Sequence, residues 1–246
     1  MSKTYFILGI LFSSLFSFSQ NAEKSINVLD ADSVKQGYWE EHEGFGFSKG
    51  VYFNGSKDGV WCDYLTNDLL HEVQGYKKGL KDGVHIVIDK RGYLKKEEHF
   101  KNDLLDGVSR IYTYGANLTS YEEYEKGLLN GIKKVFYSHR PGIMLEQSTY
   151  LKGQKDGLSK WYDEQGRIIA EYNYVKGDFE GVQKSFYETG AIQSEKNYVN
   201  NIAEGAYIEY YPDGKVKLSG KYKNGEKDGK WIEYDEDGKK INTERY

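Results

Sequence analysis

The sequence predicts an all-β protein, an elongated stack of about eight to nine antiparallel β-hairpin repeats of 24 residues, forming a single twisted sheet or an open solenoid. Three observations predict it. Glycines recur at Gly59, Gly83, Gly107, Gly131, Gly157, Gly181, Gly205 and Gly229, in steps of 24 broken once by a step of 26. An aromatic ring stands seven residues before each: Tyr52, Tyr76, Phe100, Tyr124, Tyr150, Tyr174, Tyr198 and Tyr222. The composition suits strands and tight turns, with 23 Tyr, 11 Phe and 28 Gly but only 2 Pro in 246 residues. A fixed period of this size marks an array of supersecondary units.

Residues 1–19 read as a secretory signal. Lys3 supplies a short basic region, an apolar run follows from Tyr5 to Phe16, and Ser17-Phe18-Ser19 offers small residues for cleavage near Ser19/Gln20. The apolar run is shorter than the ~20 residues a spanning helix needs. Export to the periplasm, cell surface or medium is therefore expected. Residues 20–36 are expected to be an N-terminal linker or cap, and residues 37–246 the array, opened by Gly37, which lies 22 residues before Gly59.

Within each unit two strands are expected. The first runs from the anchor glycine, as in 230–235, and the second leads to the next ring, as in 216–222. Pro212-Asp213-Gly214 between strands predicts a type I turn followed by a left-handed glycine. Four residues before the anchors stand Gly55, Gly79, Gly127, Gly153, Gly177 and Gly225, replaced twice by Asp103 and Asn201. Asn and Asp best tolerate positive φ after glycine, so a left-handed position is expected there. The stretch 223–229 reads as a loop to the next unit. The step of 26 falls on a two-residue insertion around His139-Arg140-Pro141-Gly142.

Period-two alternation places the first and fifth residues after the anchor on one face, as with Val182 and Phe186. The ring before the anchor and the first residue of the second strand are expected on that same apolar face, as with Val216 and Tyr222. The other face then reads as polar, as Lys95, Glu97 and His99 suggest. A lone hairpin cannot bury such a face, so neighbours must stack. About eight units give a twisted rod on the order of 75 Å long from the ~4.8 Å strand spacing.

The pattern Tyr222-Lys-Asn-Gly225-Glu-Lys-Asp-Gly229-Lys-Trp231-Ile-Glu-Tyr234, with a second copy from Tyr52 through Gly55, Gly59 and Trp61 to Tyr64, resembles the MORN repeat in its bacterial variant. The resemblance covers about residues 37–246. It implies a hairpin array, and it implies an antitoxin-like label as one functional possibility. The middle copies depart from the pattern at the Trp position, where His85, Ser109, Lys133, Ser159 and Gln183 stand. An export signal also fits poorly with a toxin neutralised in the cytoplasm.

No catalytic, cofactor-binding or metal-binding residues are expected. His42, His71, His85, His99 and His139 have no metal-ligand spacing with one another or with Cys62. No nucleophile elbow or phosphate-cradling motif occurs. The lone Cys62 excludes an intrachain disulfide. The formal charge is −4, and removing the leader takes away one more positive charge, Lys3. An acidic chain disfavours nucleic acid and direct membrane binding. The expectation is a non-enzymatic, exported, protein-binding or scaffolding array, with an immunity-type toxin partner or a carbohydrate-binding array at the envelope as alternatives. Trp61, Trp161, Tyr207 and Trp231 are the candidate partner contacts; the alternative for Trp61 and Trp231 is that they hold the repeat together.

Overall fold

A computed structural model describes residues 26–43 and 46–246. The expected leader, residues 1–19, lies outside the described residues. Among the described residues there are twenty-two strands in one open sheet. All pairings are antiparallel and link strands close in sequence, so the sheet is one long meander. Three short strands, Leu104–Leu105, Gln154–Lys155 and Asp178–Phe179, are the first parts of interrupted strands, since each shares its partner strand with the strand that follows. No helix of the described residues is long and apolar enough to cross a membrane.

Two kinds of turn alternate along the chain. At one edge, Asn54-Gly55, Lys78-Gly79 and Asn224-Gly225 have φ of 48/74°, 52/84° and 52/87°. Two successive positive φ values define a type I′ turn, whose twist matches that of the flanking strands. Asn102-Asp103 and Asn200-Asn201 adopt the same conformation without glycine, at 50/65° and 48/66°. The connection expected over 223–229 is therefore only a two-residue turn, and Gly229 lies inside the strand Glu226–Tyr234. At the other edge the three-residue loop holds as expected: Gly214 N–H donates to the Tyr211 carbonyl and Tyr211 N–H to that of Lys215.

The anchor glycines all take positive φ, from 67° at Gly229 to 121° at Gly131. Each faces the next ring across the ladder, as Gly59 faces Tyr76 and Gly205 faces Tyr222. On its other side the strand shifts register, as between Gln74 and Tyr76, which pair with His85 and Lys81. The anchor thus sits in a bulge that bends the strand. At Gly59 nothing lies within 4 Å of a notional Cβ, so dihedral angle rather than crowding selects glycine there.

The I′ turns stack on one another. Gly79 N–H donates to the Lys57 carbonyl (2.8 Å) and Gly127 N–H to that of Leu105 (2.7 Å), one turn to the turn before. The residue preceding most anchors adds a second tie. Asp58 Oδ1 accepts from Lys78 N–H, Asp156 Oδ2 from Lys176 N–H, and Glu204 Oε2 from Asn224 N–H, at 3.1, 3.1 and 2.8 Å. The same tie is made by Asp106, Asn130 and Glu180, which explains the acidic or amide residue before six of the anchors.

The irregular spacings have local causes. The 26-residue step is a wider loop, with Tyr137 N–H bonded to the Ile143 carbonyl, while Gly131 still faces Tyr150. The first unit is short because its strands Lys35–Glu43 and Gly46–Phe53 pair without a register shift from Gly37–Tyr52 to Glu43–Gly46. Within the segment expected to be linker or cap, Val28–Leu29 pairs with Gln36 and Lys35, closed by Asp30, whose carboxylate accepts from Asp32 and Val34 N–H.

Candidate binding surface

The two faces of the sheet differ from the expected division. In each regular hairpin one residue of the second strand is extra: Tyr64 pairs with Leu70 but Asp63 with Glu72, and Tyr162 with Ile168 but Trp161 with Ala170. This bulge turns the rest of the second strand over. The ring before the anchor therefore shares a face with the second residue after the anchor, not the first. Tyr52 meets Trp61 edge-on at 5.0 Å, and Tyr222 meets Trp231 at 5.2 Å.

This ring face holds the core. A central row crosses the whole sheet through ladder pairs such as Trp61–Gln74, His85–Glu98, Glu122–Lys133 and Tyr207–Gly220. It is aromatic towards both ends and polar in the middle. Trp61 is 2% exposed and Trp231 3%, while Gln74, His85, Glu98, Ser109, Ser148, Ser159 and Gln183 are the buried polar residues. Each indole lies over a glycine of the preceding strand. A Cβ on Gly50 or Gly220 would sit 2.2 Å from the Trp61 or Trp231 ring.

Lysines two residues before the anchors close over these rings. Lys57 Nζ lies 4.0 Å from the Trp61 ring and 5.5 Å from Tyr76. Lys155 covers Trp161 and Tyr174, and Lys227 covers Trp231 and Tyr246. Each is a cation–π contact inside the chain itself.

At the third unit the row is ionic. His85 Nδ1 lies 2.9 Å from Glu98 Oε2 and Nε2 3.0 Å from Glu72 Oε1, so the ring ties its strand to both neighbours. Lys96 Nζ is 3.1 Å from the other Glu98 oxygen. The hydrogen bond His85 donates to Glu72 leads the causes that raise the His85 pKa above the usual histidine range, with burial opposing, and the same bond holds the Glu72 carboxyl below its usual range. The remaining described histidines serve the backbone or exposed carboxylates. His71 and His99 contact the Ile88 and Val108 carbonyls, and His42 and His139 contact Glu40 and Glu164. Cys62 is half-buried, and burial pushes its thiol pKa up.

The candidate contacts fare unequally. Trp61 and Trp231 are corrected to core residues: both are sealed under a lysine, and Trp61 Nε1–H donates to the Val51 carbonyl at 3.1 Å. Tyr207 is half-buried against Tyr222 and Trp231, and Trp161 is half-buried under Lys155. All four point to the ring face.

The opposite, aliphatic face is the open one. The first residues after the anchors, expected to be buried, lie there and include the exposed Val60, Leu158 and Val182. A second apolar row runs beside the I′ turns. The residues flanking each turn pair as Phe53–Ser56, Lys77–Leu80, Lys101–Leu104, Glu125–Leu128, Leu151–Gln154, Val175–Asp178 and Val199–Ile202. Each of these seven pairs presents at least one exposed large apolar side chain, such as Leu104 at 49% and Leu128 at 51%. Leu104 lies beside Gly127, Leu128 beside Gly153 and Ile202 beside Gly225, in each case the glycine of the next turn. Sequence reasoning missed it because the apolar residue stands on the first strand of some pairs and on the second strand of others. A signal was present, since one of the two positions flanking each turn is apolar in seven successive copies.

No group of three or more His, Cys, Asp or Glu side chains able to hold a metal ion is found among the described residues. An open cleft of about 490 Å³ lies among Glu40, His42, Phe47, Lys49, Thr66 and Asp68.

The family model of the MORN repeat variant matches four consecutive segments, residues 155–176, 179–200, 203–224 and 227–246. Each starts within a strand that flanks an I′ turn and covers 20 to 22 residues of the 24-residue period. No curated protein matches. Among solved structures, the crystal structure of TcdB2-TccC3 is similar at 10% identity and a TM-score of 0.17, covering 78% of this chain. This chain spans only 15% of that one, and so low a score carries no argument. Residues 155–246 thus carry four copies of the MORN repeat variant, and the anchors and I′ turns of residues 37–154 repeat the plan of those copies.

Proposed function

We propose that the chain is a non-enzymatic protein-binding array that works through its aliphatic face. The observation that carries this reading is the row of exposed apolar side chains in seven successive hairpins, on a face that nothing else in the described chain covers. A contiguous exposed apolar strip with a polar border is characteristic of an interaction surface. A regular array also builds no enclosed pocket suited to catalysis. Carbohydrate binding has less support, because the indoles of Trp61, Trp161 and Trp231 are covered by Lys57, Lys155 and Lys227. An immunity-type partner falls within the protein-binding class. Export, with cleavage near Ser19/Gln20, belongs to the same proposal.

Site-specific photo-crosslinking in the producing cell tests the reading. A photoreactive side chain at Leu128 is expected to give protein adducts, and one at the half-buried Tyr207 on the ring face none. Absence of protein adducts at Leu128, or adducts confined to glycan or lipid, would overturn it. Intact-mass measurement of the exported protein is expected to find a chain starting near Gln20.

A further inference from the structure

We propose that the occupant of the aliphatic strip is a second copy of this chain, packed face to face along the rod; this rests on the protein-binding reading above. Three features point to self-association. The first is period. Leu80, Leu104 and Leu128 stand on every second strand, as do Leu151 and Val175, so within each run the exposed side chains recur at intervals of about 9.6 Å, and the step from Leu128 to Leu151 crosses a single strand. A second array has knobs at the same interval and the same handed twist, so contacts made in one unit repeat along each run. A globular partner matches such a ladder at only a few points.

The second is area. Seven units of strip are roughly 65 Å long, and the four steps from the turn flank to the residue after the anchor add about 13 Å of width at ~3.3 Å per step. The strip then covers on the order of 850 Å² on each copy, close to the ~800 Å² per partner of a stable interface. The third is symmetry. A surface of like side chains in line is complementary to itself under a two-fold axis, which closes the assembly at two copies and leaves no apolar strip exposed.

Sedimentation velocity on the exported chain, from low to high micromolar concentration, tests this. A concentration-dependent dimer is expected. Leu104→Lys combined with Leu128→Lys should return the chain to monomer with its melting transition retained, while Tyr114→Lys, at an exposed loop tyrosine, should leave the dimer intact. Should the double variant fail to fold, isotope-mixed cross-linking of the wild-type chain gives a second readout: labelled–unlabelled links at Lys126 and Lys152 are expected. A chain that stays monomeric throughout, a dimer that survives the folded double variant, or an absence of mixed links would overturn the proposal. A monomer that still gives adducts to other proteins at Leu128 sinks this inference but leaves the binding reading standing. A monomer without such adducts sinks both.

Discussion

Gly220 and Trp231 form a matched pair in which the missing side chain makes room for the indole. The notional Cβ of Gly220 falls 2.2 Å from the ring, and Gly220 needs no positive φ, so shape alone selects glycine there. Gly220→Ala is expected to cost about 1–3 kcal/mol through overpacking, and Trp231→Ala about 3–5 kcal/mol through the cavity it leaves. Combined, they should cost less than their sum, because removing the indole removes the clash. Urea unfolding of the cycle checks this; strict additivity would count against the pairing. His85 gives a residue-scale prediction with a sign. Its pKa is raised in the folded state, so its contribution is fully present below about 6.5, the unfolded value, and lost as pH rises through the folded pKa. Glu72 is lowered, so its contribution is present above about 4.3 and lost as pH falls through its folded pKa. The urea midpoint should therefore decline on the alkaline side in the wild type and decline less in His85→Gln; identical pH profiles would refute the role of His85.

At the scale of the element, each hairpin is tied to the next by its turns as much as by its strands. The Asp156 carboxylate holds the Lys176 N–H, two strands along. Losing that bond in Asp156→Ala should cost about 0.5–1.5 kcal/mol. Asp228 instead meets the side chain of Lys221 near the surface, so Asp228→Ala should cost less. Equal losses in parallel melts would show that the turn tie adds nothing. The turns themselves were legible in the sequence, because Asn-Gly and Pro-Asp-Gly fix their own backbone angles. Asp103 and Asn201 stood at positive φ, as their substitution for glycine implied. The acid before each anchor was equally visible as a pattern, but its partner lies about 20 residues away and no local rule names it.

At the scale of the molecule, the meander makes each unit depend chiefly on its neighbours, so stability is close to a sum over units and interfaces. Removing one whole period, residues 157–180, places Asp156 directly before Gly181 and restores the Asp-Gly junction. The shortened chain is expected to fold cooperatively, with a smaller denaturant slope in proportion to the surface lost. Circular dichroism and urea titration check this; an unfolded product would mean the units are not interchangeable. The central polar row makes one qualification physical. The unit built on His85 and the two carboxylates is not equivalent to one built on Trp231, so the site of deletion matters where an ionic pair would be broken.

The sequence by itself determined the class, the period, the place of the insertion and the residues at positive φ, because glycine spacing and turn chemistry act within a few residues. It did not determine which face is buried. One extra residue in the second strand reverses the alternation, and nothing local to 70–72 or 168–170 announces that bulge. The tertiary structure decided that the rings share a face with Trp61 and Trp231, that lysines seal that face, and that Val60, Leu104 and Leu128 face outward. The reason is that a face is a property of paired strands. Register is settled between strands, where residues far apart in the chain compete for the same ladder.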